Sequence, residues 1–270
     1  MNITFIGGGN MASAIIGGLL QCNWDRHQLR VVEIMAATRE KLEQIYRVQT
    51  FASVSAESLQ ADCVVLAIKP QQMREAAVQL APLISNALVI TIAAGIRGAD
   101  LSRWLGNHQR IVRVMPNTPA LVLAGVSGLY AMPGVNAEDR QHAASIMGAV
   151  GETVWVEREE DIDVVTAVSG SGPAYVFYFI EALEQAARDL GMSASAARQL
   201  AISTFTGASK LAAQSAEDTA TLRARVTSKG GTTERAIASM ENDNIKAAIV
   251  RAVKAAAERS RELGDELGHG

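Results

Sequence analysis

The chain has 270 residues, enough for one large domain or two ordinary ones. Apolar residues make up 49% and charged residues 20%, which supports a substantial core and excludes a chain that stays disordered. A net charge of −3 supplies no basic surface for nucleic acid or an anionic membrane, and no apolar run approaches the roughly 18 residues of a membrane span.

The first strand is Ile3-Thr4-Phe5-Ile6, and Gly7-Gly8-Gly9-Asn10-Met11-Ala12 follows it directly. This reads G-x-G-x-x-A. Gly7 permits a tight turn, and Gly9 has no Cβ to keep a phosphate from the backbone. Ala12 is small enough for the next helix to pack on the strand with its N-terminal amides facing the anion. A helical pattern runs over Asn10–Gln21. An acid, Glu33, then stands at the end of the next strand, where a dinucleotide ribose is read. No signal peptide is expected, because the strand begins at Asn2 or Ile3. Cys22 and Cys63 lack metal-like spacing, and Cys63 in the apolar run Cys63–Ala67 reads as a buried structural thiol. No metal is expected, and thiols of this kind point to the cytoplasm.

Further strands are expected at Arg30–Ile34, Val48–Phe51, Cys63–Ile68, Leu88–Ile92, Ile111–Val114, Gly125–Ala131 and Glu152–Val156. Helical patterns at Thr38–Tyr46, Gln71–Leu80 and Ala99–Leu105 separate the early ones, the signature of a doubly wound, mostly parallel sheet. The later strands lack clear helical separators, which points to an antiparallel or mixed edge.

After about Asp161 the strands stop and alanine-rich helical stretches take over: Ala174–Leu190, Ala194–Gln214, Thr219–Val226, Thr233–Met240 and Asn244–Leu267. Pro173 opens the first of these, Gly191 closes it and Ser193 caps the second. The expected organisation is a nucleotide-binding domain over residues 1–160 and an all-helical domain over residues 161–270. Val168-Ser169-Gly170-Ser171-Gly172-Pro173 joins the two halves, either as a flexible connector and helix start or as a backbone wall of a cleft, and the polar tail Gly264–Gly270 is expected to fray. Tyr175-Val176-Phe177-Tyr178-Phe179-Ile180 is apolar on every face of its helix, so the helical domain is expected to bury it in a dimer, with cover by the chain's own nucleotide domain as the simpler alternative.

A glycine-rich turn of this kind most often serves hydride transfer. His27 and His108 lie in polar stretches, His142 at the charged start of a helical run and His269 in the tail. All read as surface residues, which disfavours a hydroxy-acid dehydrogenase with a histidine proton donor. A second glycine-rich element, Arg225–Ile237, is more pointed. Gly230 and Gly231 expose backbone N–H groups before a helix, and Thr227, Ser228, Thr232 and Thr233 surround them with hydroxyls. Such a helix start binds a carboxylate. A glycine stop followed by a threonine cap would produce the same residues. Two loops at strand ends, Ala67-Ile68-Lys69-Pro70 and Met115-Pro116-Asn117-Thr118-Pro119-Ala120, fall where doubly wound folds bind ligands. Lys69 as a plain surface charge is the simpler alternative for the first.

Taken in order, these elements resemble the pyrroline-5-carboxylate reductase family. The resemblance runs from Ile3 to about Leu263 and rests on Phe5–Ala12, Ile68-Lys69-Pro70, Ala93-Ala94-Gly95, Met115–Ala120, Ser169–Tyr175 and Val226–Thr233. It implies a Rossmann domain followed by an all-helical dimerisation domain, with dimers that in many members build decamers. It also implies NAD(P)H-dependent reduction of 1-pyrroline-5-carboxylate to L-proline, the last step of proline biosynthesis. Ser228, Gly230, Gly231, Thr232 and Thr233 would then hold the substrate carboxylate, and the Thr233 hydroxyl would meet the ring nitrogen as the catalytic contact. Gly7, Gly9, Asn10, Met11, Glu33, Ala67, Lys69, Pro70, Ala93 and Ala94 would line the cofactor.

The chemistry agrees with that assignment. An imine that arrives protonated needs no strong general acid, so a hydroxyl that orients the nitrogen suffices. Lys229 stands where the family usually has proline, which restores an N–H and frees a φ angle. Glu33 would repel a 2′-phosphate and favour NADH, whereas Arg39, six residues on, could reach that phosphate and favour NADPH. A related 3-hydroxy-acid dehydrogenase would need a lysine in the helical half, and Lys210 is its candidate.

Overall fold

The computed structural model describes residues 1–268. His269 and Gly270 lie outside them. The chain resolves into two compact units: Met1–Ser171 together with the segment from Ala256 on, and Gly172–Ala255.

The first unit is built on one eight-stranded sheet: β1 (Ile3–Ile6), β2 (Leu29–Val32), β3 (Gln49–Phe51), β4 (Cys63–Leu66), β5 (Leu88–Thr91), β6 (Ile111–Met115), β7 (Gly125–Ala131) and β8 (Gly151–Trp155). The order is β3-β2-β1-β4-β5-β6-β7-β8, parallel except between β6 and β7. The chain therefore reverses its winding between β1 and β4, which opens a crevice at their carboxyl ends. The antiparallel pairing has a local cause. Residues 116–124 between β6 and β7 fold into a short 3₁₀ turn at Thr118–Val122, too few to cross over to a parallel strand.

Helices cover both faces: α1 (Asn10–Gln21), α2 (Ala36–Tyr46), α3 (Met73–Leu80), α4 (Gly98–Trp104), α5 (Ala137–Gly148) and α6 (Asp161–Val165). Side chains of β1 and β4 divide by the two-residue period of a strand. Ile3, Phe5, Cys63 and Val65 join a cluster with Ile15, Ile16 and Ile146, while Ile6, Val64 and Leu66 pack with Met73, Leu80 and Leu101. Cys63 is fully buried as expected, and burial pushes its thiol pKa well up.

The expected boundary at residue 160 falls inside the first unit. Val168–Pro173 is not a loose connector. Residues Thr166–Gly170 form a π-helical turn that continues α6. Asn117, nearly buried, holds that turn: its amide nitrogen donates to the Ser169 carbonyl (3.2 Å) and its oxygen accepts from the Val126 N–H (3.0 Å).

The second unit carries α7 (Gly172–Asp189), α8 (Ala194–Gln214), α9 (Thr219–Arg225) and α10 (Thr232–Asn242), together with the start of α11 (Ile245–Gly268). α7 and α8 pack through small residues, Ala197 and Ala201 being buried. Ser193 caps α8 through the Ala196 N–H, as read from the sequence. The last part of α11 belongs to the first unit. The expected fraying is overturned there up to Gly268: Gly264 is buried and Asp265 pairs with Arg97 at 2.7 Å. Ser260 donates to Asp163 at 2.6 Å, and Arg103 donates to the Gly268 carbonyl at 3.1 Å. Two glycines let the helix come this close. A Cβ on Gly95 would lie 3.0 Å from Leu267, and one on Gly264 would lie 3.1 Å from Arg97.

Candidate active site

The opening turn is shaped by backbone geometry. Gly7 has φ +97°, and its N–H donates to the Val32 carbonyl at 2.8 Å. A Cβ there would sit 2.6 Å from the Ala67 carbonyl oxygen, so no other residue fits. A Cβ on Gly9 would meet nothing within 4 Å, which leaves its outer side open to a ligand. Ala12 is buried, as helix packing on β1 requires. Gly9 caps α1 without a side-chain bond. Among the described residues, the N–H groups of Gly9, Asn10, Met11 and Ala12 make no hydrogen bond. Four free amides at the positive end of a twelve-residue helix are able to bond an anion.

The other residues expected to line a dinucleotide lie along the same carboxyl edge. Ala67, Lys69 and Pro70 follow β4, with Lys69 exposed ahead of the 3₁₀ turn Pro70–Gln72. Ala93 and Ala94 follow β5, and the Ala93 N–H donates to the Thr91 hydroxyl at 3.4 Å. Glu33 follows β2. Its Oε2 accepts from the Gly8 N–H and its Oε1 from the Met35 N–H, each at 2.8 Å. Arg39 turns its Nη1 back onto the Glu33 and Ile34 carbonyls, at 2.7 and 2.9 Å. A cavity of about 500 Å³ beside Gly7 is lined by Glu33, Ile34, Ser53, Val54 and Gln72.

In the second unit, Ser228–Gly231 form a tight turn closed by the Gly231 N–H donating to the Ser228 carbonyl at 3.0 Å. Gly230, its third residue, has φ +75°, the type II pattern. Gly231 then caps α10 with extended backbone. Among the described residues, the N–H groups of Thr232, Thr233 and Glu234 and the hydroxyls of Ser228, Thr232 and Thr233 make no hydrogen bond. Thr227, Gly230 and Gly231 depart from the reading: the Thr227 hydroxyl donates to the Arg223 carbonyl at 2.6 Å and so finishes α9, and the two glycine N–H groups expected to face the anion are bonded instead, Gly230 to Glu234 and Gly231 to the Ser228 carbonyl. Glu234 was not foreseen. It reaches back to accept from the Gly230 N–H at 2.6 Å, and its place three residues past the Gly231 cap is a signal the sequence carried.

None of the three described histidines stands at the carboxyl edge of the sheet with the opening turn. His27 is exposed on a short turn, while His108 and His142 lie toward the amino edge of the sheet. His108 is half-buried rather than a surface residue, its Nε2 bonded to the Ala87 carbonyl at 2.9 Å, and burial lowers its pKa. Lys210 is exposed on α8.

Pyrroline-5-carboxylate reductase of Pseudomonas aeruginosa is 43% identical over 267 residues, covering 98% of each chain. The chain belongs to the pyrroline-5-carboxylate reductase family. The enzyme of Haemophilus influenzae is 40% identical over 97% of both chains. The solved pyrroline-5-carboxylate reductase of Coxiella burnetii superposes with a TM-score of 0.92 at 40% identity, over 97% of this chain and 98% of that one. A Plasmodium falciparum pyrroline carboxylate reductase solved with NADP bound gives 0.87 at 29% identity, over 98% of both. Family models agree by region: residues 2–95 match NADP oxidoreductase, coenzyme F420-dependent, and residues 159–263 match pyrroline-5-carboxylate reductase dimerisation. The expected fold, a Rossmann sheet followed by a helical dimerisation region, is the one observed.

Proposed function

We propose that this chain reduces 1-pyrroline-5-carboxylate to L-proline with a reduced nicotinamide dinucleotide, and that the residues named above divide the work. The observation that carries this reading is the pair of free helix starts, one behind β1 and one at α10, each presenting unbonded amides to an anion. The first suits a pyrophosphate: Gly7 shapes the turn, Gly9 leaves room, and Asn10 and Met11 supply amides. Glu33, Ala67, Lys69, Pro70, Ala93 and Ala94 line the rest of that edge. The bound dinucleotide would supply a hydride to the imine carbon.

The α10 start suits a small carboxylate. Ser228 and the amides of Thr232 and Thr233 hold it, while Gly230 and Gly231 let it approach the backbone. The Thr233 hydroxyl faces the ring nitrogen. When the imine arrives protonated, the hydroxyl accepts from N–H⁺ and fixes which face is presented. When it arrives neutral, the hydroxyl donates and polarises the C=N bond. Positioning supplies the larger share of the rate.

Glu33 favours NADH, since its carboxylate stands beside Gly8 while Arg39 is tied to two carbonyls. Purified protein, substrate and either nicotinamide, followed at the reduced-nicotinamide absorbance, test both points. Turnover with NADH at the higher kcat/KM is expected. A tenfold preference for NADPH, about 1.4 kcal/mol in the transition state, would overturn the cofactor assignment. Binding without oxidation would overturn the enzyme. Turnover that survives Lys210→Ala is expected, in contrast to a lysine-dependent dehydrogenase.

The chain acts at least as a dimer through the helical unit, in which Phe177 and Tyr178 of α7 are 58% and 72% exposed. Assembly of five dimers into a decamer is the larger form proposed, and solution mass distinguishes the two. No helix of the described residues is long and apolar enough to cross a membrane, and the place of action proposed is the cytoplasm.

A further inference from the structure

We infer that Glu33 is a positioning residue for the opening glycine turn, acting on the dinucleotide through Gly8 as well as at the ribose. The inference rests on the reading of that turn as the dinucleotide site.

Two consecutive amides of the turn are held by the end of β2. Gly7 donates to the Val32 carbonyl, and Gly8 donates to the Glu33 carboxylate, both at 2.8 Å. The next four, from Gly9 to Ala12, are unbonded among the described residues. The division is sharp: what β2 holds fixes the turn, and what it leaves faces the anion. Glu33 is itself fixed. Its second oxygen takes the Met35 N–H at 2.8 Å, its own N–H donates to the Phe51 carbonyl at 2.9 Å, and its carbonyl accepts from Arg39 at 2.7 Å. Its Cβ and Cγ lie flat against Gly8, 3.4 Å from where a Cβ would be built there.

A carboxylate near a pyrophosphate site repels the ligand, so its presence calls for a compensating role. A charge-assisted bond to a backbone N–H is about twice as strong as a neutral one, and it removes the freedom of a glycine peptide before the ligand arrives. Aspartate keeps the charge but is one methylene too short to bridge Gly8 and Met35. Glutamine keeps the length but turns one of the two acceptors into a donor facing an N–H. Both variants lose the clamp, and only glutamine loses the charge.

The test uses full-length protein and two probes, adenosine 5′-diphosphate and 2′-deoxyadenosine 5′-diphosphate, titrated by calorimetry. The deoxy probe has no 2′-hydroxyl for Glu33 to read. Glu33→Asp and Glu33→Gln are each expected to weaken the deoxy probe by about fivefold or more, the loss of one charged hydrogen bond. The loss in turnover is expected to fall on KM for NADH more than on kcat. Deoxy-probe affinity that is unchanged or tightened in both variants, with only the ribose-bearing probe weakened, would overturn the inference and leave the site intact. Failure of the unmodified protein to bind either probe would instead overturn the site itself. Thermal unfolding of each variant near that of the parent shows that the fold is kept, and a variant that fails this check leaves the other to decide.

Discussion

Replacing Lys229 with proline tests the α10 turn directly. Lys229 is the second residue of the Ser228–Gly231 turn, the position at which a type II turn favours proline. Its N–H makes no hydrogen bond among the described residues, so the ring costs no bond, and it is not one of the positive-φ residues that a proline could not occupy. Proline at a compatible site stabilises by about 0.4–1 kcal/mol through the unfolded or open chain. If the gain is expressed as order in the turn, KM for the substrate falls roughly two- to fivefold. The opposite perturbation is Gly230→Ala. Gly230 has φ +75° and a Cβ there would meet nothing within 4 Å, so the cost is backbone strain alone, about 1–2 kcal/mol. KM should then rise roughly five- to thirtyfold. The assay is steady-state turnover against substrate at saturating NADH, with Lys229→Ala as the control for the ammonium charge. Loss of activity in Lys229→Pro while Lys229→Ala stays active would refute the turn assignment. Equal loss in both would move the role to the ammonium.

Thr233→Val keeps the shape and removes the hydroxyl; kcat/KM should fall by about tenfold or more, with the larger loss at high pH where the imine is neutral, and Thr233→Ser should recover most of it. Gly7→Ala brings a methyl to 2.6 Å from the Ala67 carbonyl at φ +97°, so dinucleotide binding should vanish in a fluorescence titration and stability should drop by about 3 kcal/mol or more in denaturant unfolding. Asp139, buried beside Arg110 (2.6 Å), should dominate the acid limb of stability. Burial alone would raise its pKa, but the bonds from Arg110 and Asn136 outweigh that and leave it below the usual carboxylate value. The stability it confers is therefore complete above the unfolded pKa of about 4 and lost as pH falls through the lower folded one. Asp139→Asn should cost about 3 kcal/mol at pH 7 and flatten unfolding profiles below pH 4.

The sheet was legible because buried strands must be short apolar runs bounded by turn residues, and all eight were expected close to where they lie. The opening turn was legible because glycine at Gly7 has a steric cause. Less visible were contacts between distant segments. Nothing local to Asn117 says that its amide spans the Val126 N–H and the Ser169 carbonyl, and nothing local to Gly264 says that it approaches Arg97. The tail read as frayed because its polar residues were judged without their partners, which lie in α4 and in the loop before it. The π-helical turn was missed because the Ser-Gly-Ser-Gly composition resembles a linker, although Ser169 and Thr166 spend their hydroxyls on the Val165 and Ile162 carbonyls.

The return of α11 to the sheet-bearing unit makes the helical unit an insertion in the order of the chain, entered at Gly172 and left at Ala255. A fragment that stops at Ser171 would strip Leu263 and Leu267 from beside Gly95, leave Arg97 and Asp163 without their partners, and leave Arg103 with Asp100 alone. A self-standing nucleotide module would need the terminal helix spliced back through a short artificial tether, so the coenzyme half is no cassette to be excised with one cut.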